Sequence, residues 1–270
     1  MAPKARLPSD GCPPPGRLTD DVADPSLQVT GTRRARVAKA LRLAREPSYW
    51  RPLATRVAAS VEHSDVDFRP DIATVLDVGA SRGQFAAFAL QRFPTAKLIC
   101  FEPLERARTQ LLAWAPSDRV TVHPIALGME RGDSEIHVSA HDDSSSLLPI
   151  GAGQAAAFPG TGETARGQVR VDTLDCYLTP DLASPILLKI DVQGFELQVL
   201  AGAGASLRLA DEVYVECSFV ELYDGQALAD AVVGKMRESR FRLAGVYGVV
   251  RGRDGTCIQA DFLFRRTAIA

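Results

Sequence analysis

The residues best suited to chemistry in this chain are carboxylates at the ends of apolar runs. Asp77 lies near the end of TVLDVG, Glu102 near the end of KLICFEP, and Asp191 ends LLKID, with Glu196 following it in LKIDVQGFELQVLAGA. Asp77, Gly79 and Gly83 give the spacing D-x-G-x-x-x-G. Glycines placed this way after a strand allow a sharp turn and let a ligand lie against bare backbone, at the edge where open parallel sheets bind. Glu102, nineteen residues beyond Gly83, stands where an acidic side chain can accept hydrogen bonds from a ribose diol. A dinucleotide loop shows G-x-G-x-x-G and a phosphate loop G-x-x-x-x-G-K-[ST]. This loop shows neither, which points to a nucleoside without a pyrophosphate. The competing reading makes Asp77 and Glu102 helix caps.

These carboxylates need elements that hold them in one place, and the chain supplies alternating strands and helices. Residues 74–79, 97–103, 120–127 (VTVHPIAL), 187–191 and 211–219 (DEVYVECSF) read as strands, with helices over 83–93, over LERARTQLLAWA and over 227–239. Repeated units of this kind imply a parallel sheet covered on both faces. FRLAGVYGVV and CIQADFLFRR, joined through Arg253-Asp254-Gly255, read as a closing hairpin. GDSEIHVSA alternates like a half-exposed strand with His137 toward solvent, and QVRVDTLDCYL reads as a strand and a helical turn. Between them, residues 141–168 are rich in Ser, Gly and Ala and read as a long loop, of the kind that often serves as an active-site lid.

Composition bounds the rest. A chain of 270 residues, 46% hydrophobic and 24% charged, excludes disorder throughout. Residues 1–31, with Pro13, Pro14 and Pro15, read as a disordered tail. Residues 32–70 read as basic N-terminal helices, the first placing Val37, Leu41 and Ala44 on one face, and 71–270 as the catalytic domain. Residues 1–60 hold 11 Lys/Arg against 5 Asp/Glu, leaving 20 against 28 for the body. The basic arm suits peripheral contact with an anionic membrane, while the acidic body argues against nucleic acid as the main partner. Five scattered cysteines without C-x-x-C suggest reduced thiols, with Cys100 and Cys217 buried in strands. No apolar run is long enough for a membrane span and no signal-peptide core is present, so a cytoplasmic location is expected.

In order along the chain, LDVGASRGQF, FEP, PIALG, DSSSL, VRVDTLD and LKIDVQGFELQVLAGA together resemble a class I S-adenosylmethionine-dependent methyltransferase. More narrowly they resemble the FkbM family, over about residues 72–266. The resemblance implies an α/β, Rossmann-like three-layer sandwich, with a mostly parallel seven-stranded sheet ending in an antiparallel pair. It implies S-adenosyl-L-methionine as cofactor, with Asp77, Gly79, Ala80 and Gly83 forming its loop and Glu102 holding the ribose. Ile125 and Ala126 would lie beside the adenine, and Ser144, Ser145 and Ser146 on a segment folding over cofactor and substrate. Family members generally methylate hydroxyls of sugars or natural products, which implies a small-molecule or glycan hydroxyl acceptor.

A hydroxyl is a poor nucleophile at neutral pH, and a positioned base assists by about 10²- to 10⁴-fold. The candidates are Asp191, Glu196 and His141, with His123 and Glu216 behind them. Asp191 leads because it ends a central strand beside the cofactor loop, although capping of a helix near Gly194 competes. Glu196 in a first helical turn is equally explained by the helix dipole, and His141 reaches an acceptor only if its loop closes. His63 is placed to help close the pocket. No second histidine stands at ligand spacing from His141-Asp142-Asp143, so no metal is expected. Lys189 alternates with apolar neighbours, and burying its charge requires a carboxylate partner that the sequence does not name. Two other classes compete. An NAD-dependent oxidoreductase is opposed by the glycine spacing and the lack of a Tyr-x-x-x-Lys pair, and a non-catalytic cofactor-binding module by the intact loop and LKID block.

Overall fold

A computed structural model describes residues 27–28, 33–177 and 182–267. The expected disordered tail lies outside the described residues except for Leu27 and Gln28, and Leu27 packs half-buried beside Ala157, Leu222 and Tyr223. Along the chain run α1 (Arg33–Arg45), α2 (Trp50–Ala54), β1 (Thr74–Val78), α3 (Gln84–Arg92), β2 (Lys97–Phe101), α4 (Glu105–Trp114), β3 (Val120–His123) and β4 (Ala126–Leu127). There follow β5 (Gly132–Ser139), α5 (Ala152–Ala157), β6 (Glu163–Asp172), β7 (Ile186–Ile190), α6 (Glu196–Ala201), β8 (Glu212–Ser218), α7 (Ala229–Glu238), β9 (Phe241–Arg251) and β10 (Cys257–Arg266).

Seven strands form the main sheet in the order β3-β2-β1-β7-β8-β10-β9. β10 runs antiparallel to both β8 and β9, and the other neighbours are parallel. The Rossmann-like architecture expected from the resemblance is therefore present. Period-two alternation sorts the faces. Val75, Leu98, Leu187 and Leu263 pack with α3, α4 and the segment around 43–72, whereas Leu76, Leu188, Ile190 and Val215 pack with α6 and α7. The chain leaves β1 toward β2 on one side and later returns to β7 on the other, which opens a crevice at the strands' C-terminal ends. α3 seats closely because Gly83 has φ +88° and a Cβ there would lie 2.3 Å from Leu111 and 2.6 Å from Trp114.

Three expectations are corrected. VTVHPIAL is two elements, because Pro124 has no N–H to continue the ladder; Ala126 and Leu127 instead join a second sheet of order β4-β6-β5. Residues 141–168 are not a structureless loop: they hold a 3-10 turn at Asp142–Ser144, α5 and the first half of β6. The alanine-rich stretch favours helix, and β5 takes its antiparallel partner from residues 163–171. His137 does not face solvent. The bridge from Ser146 covers it, leaving it 5% exposed with Nδ1 2.7 Å from Glu163 Oε2.

α1 itself forms as expected, but Val37 and Leu41 are 53% and 51% exposed while Leu43 anchors the helix to the body. Cys100 and Cys217 are buried free thiols. No helix among the described residues is long and apolar enough to cross a membrane.

Candidate active site

The face of the main sheet that packs on α3 changes character toward the C-terminal ends of its strands. Register sets Asp77 beside Lys189, Lys189 beside Tyr214 and Tyr214 beside Leu263. One pleat further on, Asp191 falls level with Glu216, which pairs with Asp261. Local alternation and strand order thus turn four separate sequence blocks into one polar patch. Lys189 finds the partner its burial demanded: Nζ lies 3.1 Å from Asp77 Oδ1 and 3.6 Å from Asp191 Oδ2, and donates to the Gly79 carbonyl at 3.1 Å. Burial works against the ammonium, but the carboxylates of Asp77 and Asp191 outweigh it and raise its pKa.

The glycine turn holds the loop against this patch. Gly79 has φ +76°, and a Cβ there would sit 1.9 Å from the Asp191 carbonyl oxygen. Gly79→Ala is therefore expected to destabilise the fold by at least about 1–2 kcal/mol, since an L-residue in this region alone costs that much; urea unfolding giving wild-type stability would refute this. Beyond the turn, Ser81 N donates to Glu102 Oε2 at 2.9 Å, and Leu104 N to Oε1 at 2.7 Å. Burial, opposed by these two donors, pushes the Glu102 carboxyl up to about 7.

Two clefts meet at the loop. The first, a narrow one of about 60 Å³, is lined by Gly79, Glu102, Leu104, Ala126, Leu127, Ser145 and Phe195. Mostly apolar walls with Glu102 among them suit an adenosine: each Glu102 oxygen keeps a lone pair for a ribose hydroxyl, and the bare backbone at Gly79 admits close approach. Ala80 lines the second cleft. Asp77 is fully buried behind the loop, Gly83 packs against α4, and Ile125 sits in the core with Phe101 and Leu127.

The second cleft, of about 580 Å³, is lined by His63, Ser81, Phe85, Lys189, Asp191, Glu216, Gln259 and Asp261, with Lys39, Arg56 and Arg82 also along its wall. Asp191 lines both clefts. Its side chain is 34% exposed and accepts from Gln193 Nε2 at 2.7 Å. It does not cap α6. The α6 N-cap, Phe195, has no side-chain cap hydrogen bond; Glu196 instead holds the turn before it, its Oε1 accepting from Val192 N at 3.1 Å and Gly194 N at 3.0 Å, and burial pushes its carboxyl up to about 7. Glu216 accepts from Gln259 Nε2 at 2.5 Å and from Gln193 Nε2 at 3.1 Å; burial, then Asp191 and Asp261, hold its carboxyl well above the usual range. His63 Nδ1 lies 3.0 Å from the Tyr214 hydroxyl, and burial lowers its pKa to about 4, so the ring is neutral.

Other candidates lie apart. His141 is exposed, its ring near Gly160, and lines neither cleft; His123 stacks on Phe101 at 5.2 Å. Gln193, Gln259 and Asp261 were not legible as site residues. The signal was present in β10, where Gln259 and Asp261 alternate with apolar residues in QADFLF.

The buried acids set a pH dependence. Burial pushes Asp261, like Glu102 and Glu196, up to about 7, and holds Glu216 well above the usual carboxylate range. The folded chain then holds protons that the unfolded chain has released. The stability from these groups is full below their unfolded values near 4 and is lost as pH rises through about 7. His63 acts oppositely, its contribution being lost as pH falls from 6.5 toward about 4. Four acids outweigh one histidine. The ligand-free protein should melt several degrees higher near pH 5.5 than near pH 7.5, and thermal scans showing the reverse would overturn the assignment.

A family model described as the methyltransferase FkbM domain matches residues 77–243. The 2-O-methyltransferase NoeI of Sinorhizobium fredii is 31% identical over 209 residues, covering 74% of this chain and 82% of that protein. Among solved structures, magnesium protoporphyrin IX methyltransferase from Synechocystis with bound S-adenosylmethionine is 10% identical at a TM-score of 0.42, covering 92% of this chain and 100% of that one. The 1,6-didemethyltoxoflavin-N1-methyltransferase of Burkholderia thailandensis is 12% identical at a TM-score of 0.41, covering 93% and 94%.

Proposed function

The chain belongs to the FkbM methyltransferase family and is an S-adenosylmethionine-dependent methyltransferase, and on that premise we propose that it methylates a hydroxyl of a glycan, glycolipid or secondary metabolite held in the larger cleft. The observation that carries this reading is the position of Asp191, whose carboxylate borders both the Glu102 cleft and the polar one. Glu102 and the Gly79 backbone would hold the cofactor's nucleoside, with Ala126 and Ser145 against it. When bound, the cofactor supplies a methyl group already activated on its sulfonium.

The chain's own residues then have two tasks, alignment and proton removal. Asp191 accepts a hydrogen bond from the acceptor hydroxyl and takes its proton as the oxygen becomes nucleophilic. Gln193 fixes one carboxylate oxygen, and the Lys189 ammonium lies 3.6 Å from the other. His63, Glu216, Gln259 and Asp261 offer donors and acceptors for neighbouring hydroxyls, a lining suited to a polyol. Glu196 keeps the 191–194 turn in shape through its two backbone bonds and acts as a positioning group. Support for oxygen as the methylated atom comes from the relative named for 2-O-methylation. Support for a lipid-linked acceptor comes from α1, which carries no acidic residue and exposes Val37 and Leu41 toward solvent, as at anionic membrane surfaces.

The test is transfer of labelled methyl from S-adenosylmethionine to panels of free glycosides, glycolipids and phenolic metabolites. Mass spectrometry of glycans and lipids from cells with and without the gene guides the choice. A product carrying one added methyl on oxygen supports the proposal. Methylation of nitrogen or carbon instead would defeat it.

A further inference from the structure

Gln193 occupies the turn between the two clefts in a conformation that its residue type disfavours. Its φ is +57°, in the left-handed region that a non-glycine residue keeps only where its surroundings demand it. The demand is visible in its hydrogen bonds. The side-chain Nε2 has two protons, and they go to Asp191 Oδ1 at 2.7 Å and Glu216 Oε2 at 3.1 Å. Oε1 faces the Tyr223 hydroxyl at 2.8 Å, and that hydroxyl also lies 3.0 Å from the Ser144 carbonyl. The Gln193 carbonyl accepts from Ser146 Oγ at 2.7 Å. With carboxylates on one side and a hydroxyl on the other, the network leaves the amide a single sensible orientation.

The two sides of that amide belong to different clefts. Ser145, Ser146 and Leu147 form a strap along the narrow cleft that Glu102 also lines, while Glu216 lines only the larger one. The narrow cleft, at about 60 Å³, is far below the roughly 300 Å³ at which ligand clefts begin. The cleft must therefore widen to admit a nucleoside, and the strap is one of its walls. Movement of Ser146 pulls on the Gln193 carbonyl through its Oγ, and movement of Ser144 changes how the single Tyr223 hydroxyl proton is shared with Gln193 Oε1.

We propose that Gln193 is a positioning residue that makes closure of the Ser144–Ser146 strap over the cofactor and orientation of the Asp191–Glu216 pair a single event. The acceptor side is then fully assembled only when the strap is closed. This rests on the reading of the larger cleft as the acceptor site, but the coupling itself is measurable without any acceptor. By linkage, a change at Glu216 must then alter cofactor affinity, although Glu216 does not line the cofactor cleft, and must do so through Gln193.

Calorimetric titration of the full chain with S-adenosylhomocysteine tests this in two double-mutant cycles. Gln193→Gly removes the side chain yet suits the positive φ, so the fold is retained, with melting curves as the control. Tyr223→Phe and Glu216→Ala are the second members. We expect each single variant to bind S-adenosylhomocysteine about fivefold or more weakly, and the Tyr223 and Glu216 effects to vanish in the Gln193→Gly background. Independent, multiplying losses would overturn the proposal, as would wild-type affinity in Gln193→Gly. Because wild-type binding is measured first, a wrong acceptor assignment leaves the cycles readable.

Discussion

Lys189→Met destabilises the folded chain by about 3–5 kcal/mol, seen as a lowered urea midpoint at neutral pH, and adding Asp77→Asn recovers most of the loss. The argument starts from burial. The Lys189 side chain is 7% exposed and that of Asp77 fully buried, so neither charge is tolerated alone. Among the described residues, the Asp77 oxygens have no hydrogen-bond donor that meets good geometry; the ammonium at 3.1 Å is the compensation they have. Removing it strands a carboxylate in the middle of the sheet, whereas removing both charges leaves only a neutral amide there, at a smaller cost. The single variant also gains a pH signature. With Asp77 forced to take a proton to stay buried, its deficit shrinks at low pH and grows at high pH. A double variant no better than the single one would show that the ammonium acts otherwise than by neutralising Asp77.

Asp191→Asn, by contrast, leaves the fold and cofactor affinity nearly intact and lowers kcat by about 10²- to 10⁴-fold, measured on the acceptor identified by label transfer. An asparagine keeps the shape and still accepts from Gln193 through its oxygen, so the turn that carries Gly79's close approach is preserved. What it loses is basicity at the border of the two clefts. The expected separation, rate without binding, distinguishes a base from a structural group. S-adenosylhomocysteine affinity should stay within a few-fold of wild type, whereas Glu196, buried on backbone donors, has no such role to lose. A turnover reduced by less than tenfold would move the base assignment away from Asp191.

The neighbourhood of Asp191 shows how far local reasoning reaches. That an apolar strand ends in Asp191, that a glycine turn follows Asp77 and that Glu102 closes the next strand are consequences of side-chain period and backbone freedom, and both are properties of short segments. The same holds for the closing hairpin and for the basic helix. Where local signals conflicted with pairing, they failed. Residues 163–168 look like loop by composition but extend β6 because β5 needs a partner. Val37 and Leu41, the face that periodicity would bury, lie in solvent because α1 is anchored by Leu43.

By itself, then, the sequence determined the strand–helix alternation, the glycine turn after β1 and the carboxylates at the strand ends, since each is set within a few residues. Only the tertiary structure decided that Asp77 neutralises Lys189 and that Glu216, Gln259 and Asp261 share a cleft with His63. Those outcomes depend on strand order and register between β1, β7, β8 and β10, which no single segment encodes. A one-residue slip in any of them would turn the polar row to the opposite face.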